Sequence, residues 1–291
     1  MKEGIVSVLK PPGMSSSDVV GDIRRLFQEK RVGHLGTLDP GAAGVLPVCV
    51  GRAVRLFDYL VDKEKTYRFE LLFGRETDTQ DVYGRVTDRT EKNLSRQELE
   101  GLLPRFRGEI IQQAPAYSAL KSGGKKLYDL ALAGKEIPEK LRPVTISRLE
   151  LLEQTGENRY LMEVTCSRGT YVRTLCHDMG RAAGGCACMG MLLRTASGPF
   201  SIENAHTLEG LRALAEEGQA EKALLSCEAA LGYMPALKLP AERFQPARNG
   251  LPTYVGKLPV ETVRLYCGDR FMGIGQVENR QVRLRVHLYD E

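Results

Sequence analysis

The spacing of apolar positions predicts a mixture of helices and strands over most of the chain. Residues at helical spacing predict a helix over 19–27, for which Ser16 or Ser17 can serve as N-cap, and another over 172–179. Strict alternation over 67–73 predicts a strand. The other predicted elements are a short helix at 53–61 with Phe57 facing inward, short helices within 207–231, strands near 144–146 and 160–166, and a helix that begins with the capping box of Ser95 and Glu98.

The pattern changes after a stretch rich in proline and glycine at 235–259. Three short strands are predicted beyond it, joined by turns at 268–269 and 279–280. In the last of them, apolar residues alternate with Arg283 and Arg285, so one face is apolar and the other is basic. We expect two domains, 1–234 and 235–291. The second has about 55 residues, near the lower limit for independent folding, and should lean on the first.

Composition is ordinary for a soluble globular protein, with 291 residues, 42% hydrophobic and 27% charged. No apolar run reaches the ~18 residues of a membrane-spanning helix, and the N-terminal segment lacks the apolar core of a secretory signal. We therefore expect a cytoplasmic protein that does not associate with a membrane. The seven cysteines are an odd number, and Cys186, Cys188 and His177 do not have the spacing of a zinc site. Reduced, packed thiols and no metal are expected.

The net charge of +4 says little, but its distribution is uneven. Basic residues concentrate over 24–55 and in the C-terminal module, whereas 203–228 is rich in acids. Two basic surfaces flanking an acidic one can follow a curved polyanion such as a nucleic acid. Ordinary solvated faces fit the same pattern equally well, so charge alone leaves both interpretations open.

A glycine-dense segment at 31–51 predicts a loop. Gly33, Gly36, Gly41 and Gly44 lie in it, and such density permits positive φ angles and a close approach of a ligand to the backbone. It lacks the pattern of a phosphate-binding loop. Asp39 lies in its middle, followed by proline and glycine. In isolation this tripeptide is typical of a turn in which the aspartate bonds its own backbone.

Six motifs occur in order along nearly the whole chain. They are Lys10–Ser16, Gly33–Pro47, Lys65–Tyr67 with Gly74–Thr79, Tyr117–Lys121, Gly169–Arg173 and Leu192–Thr195. The second, which contains Asp39, is the most specific. Together they resemble the motifs of the TruB-type tRNA pseudouridine synthases, which modify the T-loop uridine at tRNA position 55.

The resemblance implies an α+β fold. It predicts a catalytic domain with a mixed, mainly antiparallel sheet flanked by helices, and a small C-terminal module that resembles a shortened PUA domain. The implied enzyme is an isomerase that acts as a monomer on the T-arm of tRNA. Because the reaction breaks the C1′–N1 bond and joins C5 to C1′ without gain or loss of atoms, no cofactor is expected.

The same resemblance implies the catalytic group. Asp39 is the expected carboxylate, and it can act as a nucleophile at the base or the sugar, or as a proton-abstracting base. Arg173 is expected to pair with it, since a buried carboxylate is otherwise disfavoured as an anion. Tyr67 is expected to stack on the flipped base and to serve in moving the C5 proton.

Four further residues are expected to bind substrate. His34 fills the space that the flipped uridine vacates, and Tyr171 and Leu192 line the pocket, although core packing explains Leu192 nearly as well. Lys10 either supports the glycine-dense segment that contains Asp39, here called the catalytic loop, or contacts phosphate. Arg283 and Arg285 are expected to bind RNA from the C-terminal module.

The sequence departs from the family pattern at two places. Ala114 stands before Pro115 where a second proline is expected, and Leu132 stands where an arginine is usual, which leaves the role of that loop open. Two rival functions also stay open. One is a non-catalytic RNA-binding or tRNA-folding module. The other is a nucleoside or glycoside hydrolase, although such enzymes usually employ two carboxylates and no second acid is obvious in 31–52.

Overall fold

The computed structural model describes residues 2–118, 120–122, 125–126, 133 and 138–289. The helices in these ranges are α1 (Ser16–Phe27), α2 (Phe57–Leu60), α3 (Arg96–Leu102), α4 (Val172–Ala182), α5 (Leu208–Glu216), α6 (Cys227–Ala230) and α7 (Phe244–Arg248). None of these helices has both the length and the apolar character needed to cross a membrane.

The strands of the same ranges form two larger sheets and two small hairpins. They are β1 (Gly4–Lys10), β2 (Val32–His34), β3 (Ala43–Val50), β4 (Lys65–Phe73), β5 (Arg75–Thr77), β6 (Val86–Arg89), β7 (Gly108–Gln113), β8 (Lys121–Ser122), β9 (Lys125–Lys126), β10 (Leu141–Gly156), β11 (Arg159–Cys166), β12 (Ala187–Ser197), β13 (Phe200–Ser201), β14 (Ala236–Leu239), β15 (Thr253–Tyr254), β16 (Thr262–Cys267), β17 (Arg270–Glu278) and β18 (Gln281–His287).

The large sheet has nine strands in the order β1-β3-β12-β4-β11-β10-β7, with β2 on β3 and β13 on β12. The β3–β12 pairing is parallel, and the other pairings in this sheet are antiparallel. Helix α4 packs against the β4–β12 half, and α1 with α5 packs against the β1–β3 half. The prediction of a mixed, mainly antiparallel sheet flanked by helices is confirmed.

The prediction of a loop throughout 31–51 is wrong, because both β2 and β3 lie entirely within it. Strand β3 is buried on both faces. Leu46 and Val48 pack against the helices α1 and α5, whereas Val45 and Cys49 pack on the opposite side. A strand enclosed on both faces carries no alternation of apolar and polar residues, so its periodicity is hidden.

The start of α1 also differs from the prediction. Ser15, rather than Ser16 or Ser17, is the N-cap, and it forms a reciprocal capping box with Asp18. Ser16 faces inward, where its hydroxyl donates to the Leu38 carbonyl at 3.1 Å and accepts from the Leu38 N–H at 2.9 Å. The first turn of α1 is thereby attached to the residue that precedes Asp39.

The C-terminal sheet has the order β14-β16-β17-β18-β15. Its alternation is confirmed, since Val282, Leu284 and Val286 are buried while Arg283 and Arg285 are exposed. Val286 joins a hydrophobic core shared with the large sheet, which also contains residues of β1 and β3. The expectation that this module leans on the rest of the chain is thus confirmed, while the domain boundary at 234/235 stays a prediction.

Two smaller predictions have different outcomes. The prediction that Phe57 faces inward is wrong, since it is 38% exposed. Residues 51–56 form a 3-10 helix and α2 begins only at Phe57, so the α-helical period assumed for 53–61 does not run through this segment. All seven cysteines are buried free thiols, as expected. In the part of the chain that the structure describes, no three His, Cys, Asp or Glu side chains are arranged to hold a metal ion.

Candidate active site

Asp39 and Arg173 meet at the start of α4, although they are far apart in the sequence. The Nε atom of Arg173 lies 3.0 Å from Oδ2 of Asp39. The arginine side chain is only 6% exposed, whereas the aspartate side chain remains 46% exposed. A buried cation therefore holds one oxygen of a carboxylate that a ligand can still reach.

The remaining donors of Arg173 are bonded to backbone. Nη1 donates to the Thr79 carbonyl and Nη2 to the Tyr117 carbonyl, both at 3.0 Å. Each of these acceptors belongs to one of the motifs singled out in the sequence. A guanidinium bonded in three directions has little freedom to rotate, so the position of the carboxylate that it pairs with is well defined.

Tyr171 is the N-cap residue of α4 and lies half-buried next to this pair. Its N–H donates to Oε1 of Gln112 at 3.0 Å, and its carbonyl accepts from Nε2 of Gln112 at 3.3 Å. Gln112 is fully buried on β7. The amide therefore supplies an acceptor for the Tyr171 N–H and a second donor for its carbonyl, which also accepts from the Leu175 N–H at 3.0 Å, and it fixes the point at which α4 begins.

Lys10 is completely buried, and its ammonium is used internally. Nζ donates to the carbonyls of Pro11 at 2.9 Å, Met14 at 2.6 Å and Pro40 at 3.2 Å. Burial lowers the pKa of this lysine, and the Asp39 carboxylate opposes that effect. These bonds tie the ammonium to the backbone on both sides of the site, including the carbonyl of the residue after Asp39, while the role of Lys10 stays a prediction.

Arg194 on β12 is a site residue that the sequence reasoning missed. It is 1% exposed, and its guanidinium donates to the carbonyls of Val45 at 2.7 Å, Gly36 at 3.2 Å and Thr37 at 3.4 Å. The only signal in the sequence was its place in a motif. A guanidinium that is bonded to backbone carbonyls needs no acidic side chain as a partner, so the sequence contains no acid that would point to it. Gly44 has φ +115°, and a Cβ there would lie 2.2 Å from the Arg194 carbonyl oxygen.

Tyr67 and Leu192 lie where two hydrophobic cores meet. Each is half-buried, and each packs against both the α4 side and the α1 side of the large sheet. Their strands are neighbours, with Tyr67 of β4 paired to Arg194 of β12. Burial raises the pKa of the Tyr67 hydroxyl, and the nearby Arg194 guanidinium opposes that shift. Core packing and pocket lining are both compatible with this position of Leu192.

His34 ends β2 and lines a pocket of about 650 Å³. Its Nδ1 is buried and has no hydrogen-bond partner among the residues that the structure describes. Burial lowers the pKa of His34, with a smaller contribution from Arg194. The other residues of the pocket are Ser17, Val20, Arg24, Lys30, Arg31, Val32, Gly33, Leu35, Cys49, Val54 and Phe57.

Arg283 and Arg285 do not belong to this group of residues. They lie on β18 of the C-terminal sheet, where both are exposed. Leu132, which replaces an expected arginine, lies outside the described residues.

The chain matches two family models over adjoining ranges. Residues 24–172 match the TruB family pseudouridylate synthase, N-terminal domain, and residues 173–238 match the tRNA pseudouridylate synthase B C-terminal domain. Two similar proteins are both described as tRNA pseudouridine synthase B. One, from Heliobacterium modesticaldum, is 42% identical over 94% of this chain and 90% of its own length. The other, from Pelotomaculum thermopropionicum, is 44% identical over 91% and 85%.

The fold is also similar to solved structures. A chain of an H/ACA ribonucleoprotein bound to a substrate RNA containing 2′-deoxyuridine has a TM-score of 0.75 and 24% identity, covering 98% of this chain and 84% of its own. A chain of a Cbf5-Nop10-Gar1 complex has the same TM-score and identity, with coverage of 99% and 85%. At this identity, the likeness concerns the fold.

Proposed function

Because the chain belongs to the TruB family of pseudouridylate synthases, we propose that it isomerises the T-loop uridine at position 55 of tRNA, with Asp39 as the catalytic carboxylate. The enzyme class is established by the family: the chain is an isomerase that forms pseudouridine in tRNA. The observation that supports the proposed site is the 3.0 Å contact between Arg173 Nε and an Asp39 carboxylate that stays 46% exposed.

The ion pair suits the start of the reaction. Arg173 places a positive charge 3.0 Å from the Asp39 carboxylate, and an anion is required whether the carboxylate attacks the base, attacks the sugar or removes a proton. The carbonyls of Thr79 and Tyr117 hold the guanidinium, so it stays in place when the uracil leaves the sugar. Once the glycosidic bond breaks, the uracil must turn so that C5 faces C1′, and a fixed carboxylate provides the reference point for that turn.

The remaining site residues are assigned to base flipping and binding. Tyr67 stacks on the everted uracil, and its hydroxyl, whose pKa burial raises, stays protonated at neutral pH and can exchange a proton at C5. His34 occupies the space left in the T-loop, where a neutral imidazole with a lowered pKa stacks without a charge penalty. Tyr171 and Leu192 line the uracil pocket, and Lys10 positions the loop through the Pro40 carbonyl.

RNA affinity is assigned to two basic surfaces. One is the pocket beside His34, where Arg24, Lys30 and Arg31 lie along the wall. The other is the exposed face of β18 with Arg283 and Arg285. Phosphate contacts provide most of the affinity, whereas the shape of the T-loop provides the specificity.

Replacement of Asp39 by asparagine tests the catalytic role. The change keeps size and removes the anion, so pseudouridine formation in an unmodified tRNA transcript should fall below detection while the Kd for tRNA stays within about 2-fold. Asp269→Asn is the matched control, since this aspartate is 97% exposed on a turn of the C-terminal sheet. Residual isomerisation by Asp39→Asn at a tenth of the normal rate or more would contradict the assignment.

The same assay separates the rival functions. If the protein only bound RNA, the uridine would stay unchanged with the wild-type protein and with both variants. A hydrolase would release free uracil, which chromatography of the reaction mixture detects. Position 55 is tested by mapping the product in a full tRNA and in a T-arm stem-loop, and modification of another uridine would contradict the T-loop assignment.

A further inference from the structure

Tyr83 is unusually exposed for an aromatic residue next to the site. Its side chain is 70% exposed, at the tip of the loop that joins β5 and β6. If this ring served only to shield the catalytic turn, most of its surface would be covered by protein. Instead, most of an apolar face is left open to solvent, and this exposure favours a contact with a ligand.

The covered part of the ring lies on Gly41, two residues after Asp39. A Cβ placed on Gly41 would lie 2.3 Å from Cε2, 2.8 Å from Cζ and 3.0 Å from Oη of Tyr83. Gly41 does not have a positive φ, so backbone conformation does not explain the glycine. The close approach of the Tyr83 ring does.

The loop that carries Tyr83 is tied down rather than loose. The Tyr83 N–H donates to Oδ1 of Asp81 at 3.0 Å, and Thr77 Oγ1 donates to the Asp81 carbonyl at 2.6 Å. Val82, which lies between Asp81 and Tyr83, donates its N–H to the Met189 carbonyl of β12 at 2.9 Å. The backbone that carries the ring is therefore held at a fixed place relative to the large sheet.

The same loop also holds the arginine of the catalytic pair. Thr79 accepts from Arg173 at 3.0 Å, and Gln80 accepts from the Thr174 hydroxyl at 2.9 Å. Tyr83, Asp39 and Arg173 thus belong to one connected unit. Arg85 follows two residues later in the same loop with an 88% exposed side chain, whose Nη2 lies 3.9 Å from Oδ2 of Asp78.

We propose that Tyr83 contacts the RNA substrate directly, by stacking its exposed face on an unpaired base next to the target uridine. An exposed aromatic ring that packs on the turn after the catalytic carboxylate, in a loop that also carries an exposed arginine, has the features of a single-strand stacking platform. The residue serves affinity and placement of the substrate rather than bond breakage. This inference rests on the proposed function, because the base that stacks is a neighbour of the uridine that meets Asp39.

Steady-state kinetics test the contact. Tyr83→Ala should raise the KM for tRNA about 10-fold and change kcat less than about 2-fold, while Tyr83→Phe should behave as the unmodified enzyme because it retains the ring. Val86→Ala is the matched control, since it removes an exposed apolar side chain from the same hairpin. An unchanged KM in Tyr83→Ala, an equal KM rise in Tyr83→Phe, or an equal rise in Val86→Ala would overturn the proposal.

Gly41→Ala tests the same ring without altering it. The added methyl group must displace the Tyr83 ring, so KM should rise to a similar extent. In the Tyr83→Ala background the same change should add less than about 2-fold, because the ring is already gone. Independent, additive effects of the two substitutions would overturn the proposal.

A fluorescence measurement reports stacking itself. The chain contains no tryptophan, so Tyr83→Trp introduces a sole indole at this position. In an Asp39→Asn background, an unmodified tRNA transcript should quench its emission in a saturable way, whereas Val86→Trp should show little change. Unchanged emission of Tyr83→Trp at tRNA concentrations that saturate a filter-binding assay would overturn the proposal. This readout is separate from catalysis, so isomerisation retained by Asp39→Asn would refute the role of Asp39 and leave the stacking result standing.

Discussion

At the scale of single residues, buried cations bonded to backbone carbonyls give the site its shape. Lys10 and Arg194 both donate to carbonyls within or next to the catalytic loop, and Lys65 donates to the Val61 and Lys63 carbonyls at the start of β4. Burial lowers the pKa of Lys65 to about 8. Carbonyl oxygens that have left a regular sheet need donors, and a buried ammonium or guanidinium supplies several at once.

Lys10→Met is predicted to destabilise the protein without altering its electrostatic attraction to RNA. The substitution keeps the aliphatic chain but removes one hydrogen bond from each of three carbonyls, of which that of Pro40 keeps the Gly13 N–H, and this should lower the free energy of unfolding by about 3 kcal/mol. Because Lys10 is fully buried and Nζ already donates to three carbonyls, we expect no phosphate contact and therefore no change in the salt dependence of tRNA binding. Urea unfolding and binding titrations over a range of KCl measure both quantities, and a shallower salt slope would show that Lys10 contacts phosphate after all.

At the scale of elements, the β5–β6 hairpin depends on α4 for its position. Oε2 of Glu76 on β5 lies 2.6 Å from Nη2 of Arg181 and 3.5 Å from Nε2 of His177, and Arg181 also pairs with Asp88 of β6 at 3.1 Å. The other ring nitrogen of His177 lies 3.0 Å from Asp178. The hairpin that supports Arg173 from one side is thus attached by ion pairs to the helix that carries it.

His177 makes this attachment dependent on pH. Its hydrogen bond to Asp178, together with the charge of Glu76, raises the pKa of His177 above its ordinary value, against burial and Arg181. A raised folded-state pKa contributes stability that is complete below the unfolded pKa of about 6.5 and is lost as pH rises through the folded pKa.

The prediction compares His177→Gln with the unmodified protein. The difference in unfolding free energy should be on the order of 1 kcal/mol at pH 6 and should shrink toward pH 8 and above. Urea unfolding at a series of pH values measures it. A difference that does not vary between pH 6 and pH 9 would mean that His177 acts through packing alone.

At the scale of the whole molecule, the two large sheets share one hydrophobic core. Ile274 and Leu288 of the C-terminal module pack with Ile5 and Leu56, and the guanidinium of Arg55 donates to the His287 carbonyl at 3.1 Å. The exposed basic face of β18 is therefore attached to the part of the chain that holds Asp39. A tRNA bound at both places would contact two surfaces whose relative position is set by the shared core.

The double variant Arg283→Ala/Arg285→Ala should weaken tRNA binding and flatten its salt dependence. Each lost phosphate contact should reduce the slope of log K against log salt by about 0.7–0.9, so the slope should fall by roughly 1.5. Arg96→Ala/Arg105→Ala removes the same charge from an exposed helical segment and serves as the control. Equal slopes for the two double variants would place the RNA contact elsewhere.

Much of the candidate site could be recognised from local sequence. The motifs around Asp39 and Arg173 singled out both residues, and the structure brings them to 3.0 Å. Elements with a solvent-facing side, such as β4 and α4, were also recognised, because half-burial imposes a visible period. Strand β3 was not recognised, because both of its faces are enclosed.

The sequence by itself determined which chemistry-bearing residues are present and which amphipathic segments form, since motifs and periodicity are local properties. Only the tertiary structure decided that Lys10 turns inward, that Arg194 holds the catalytic loop and that Tyr83 lies on Gly41. Their partners are backbone carbonyls and a Cα hydrogen. Because every residue type has these groups, the sequence does not indicate which of them will be in contact. Chain packing alone brings such groups together.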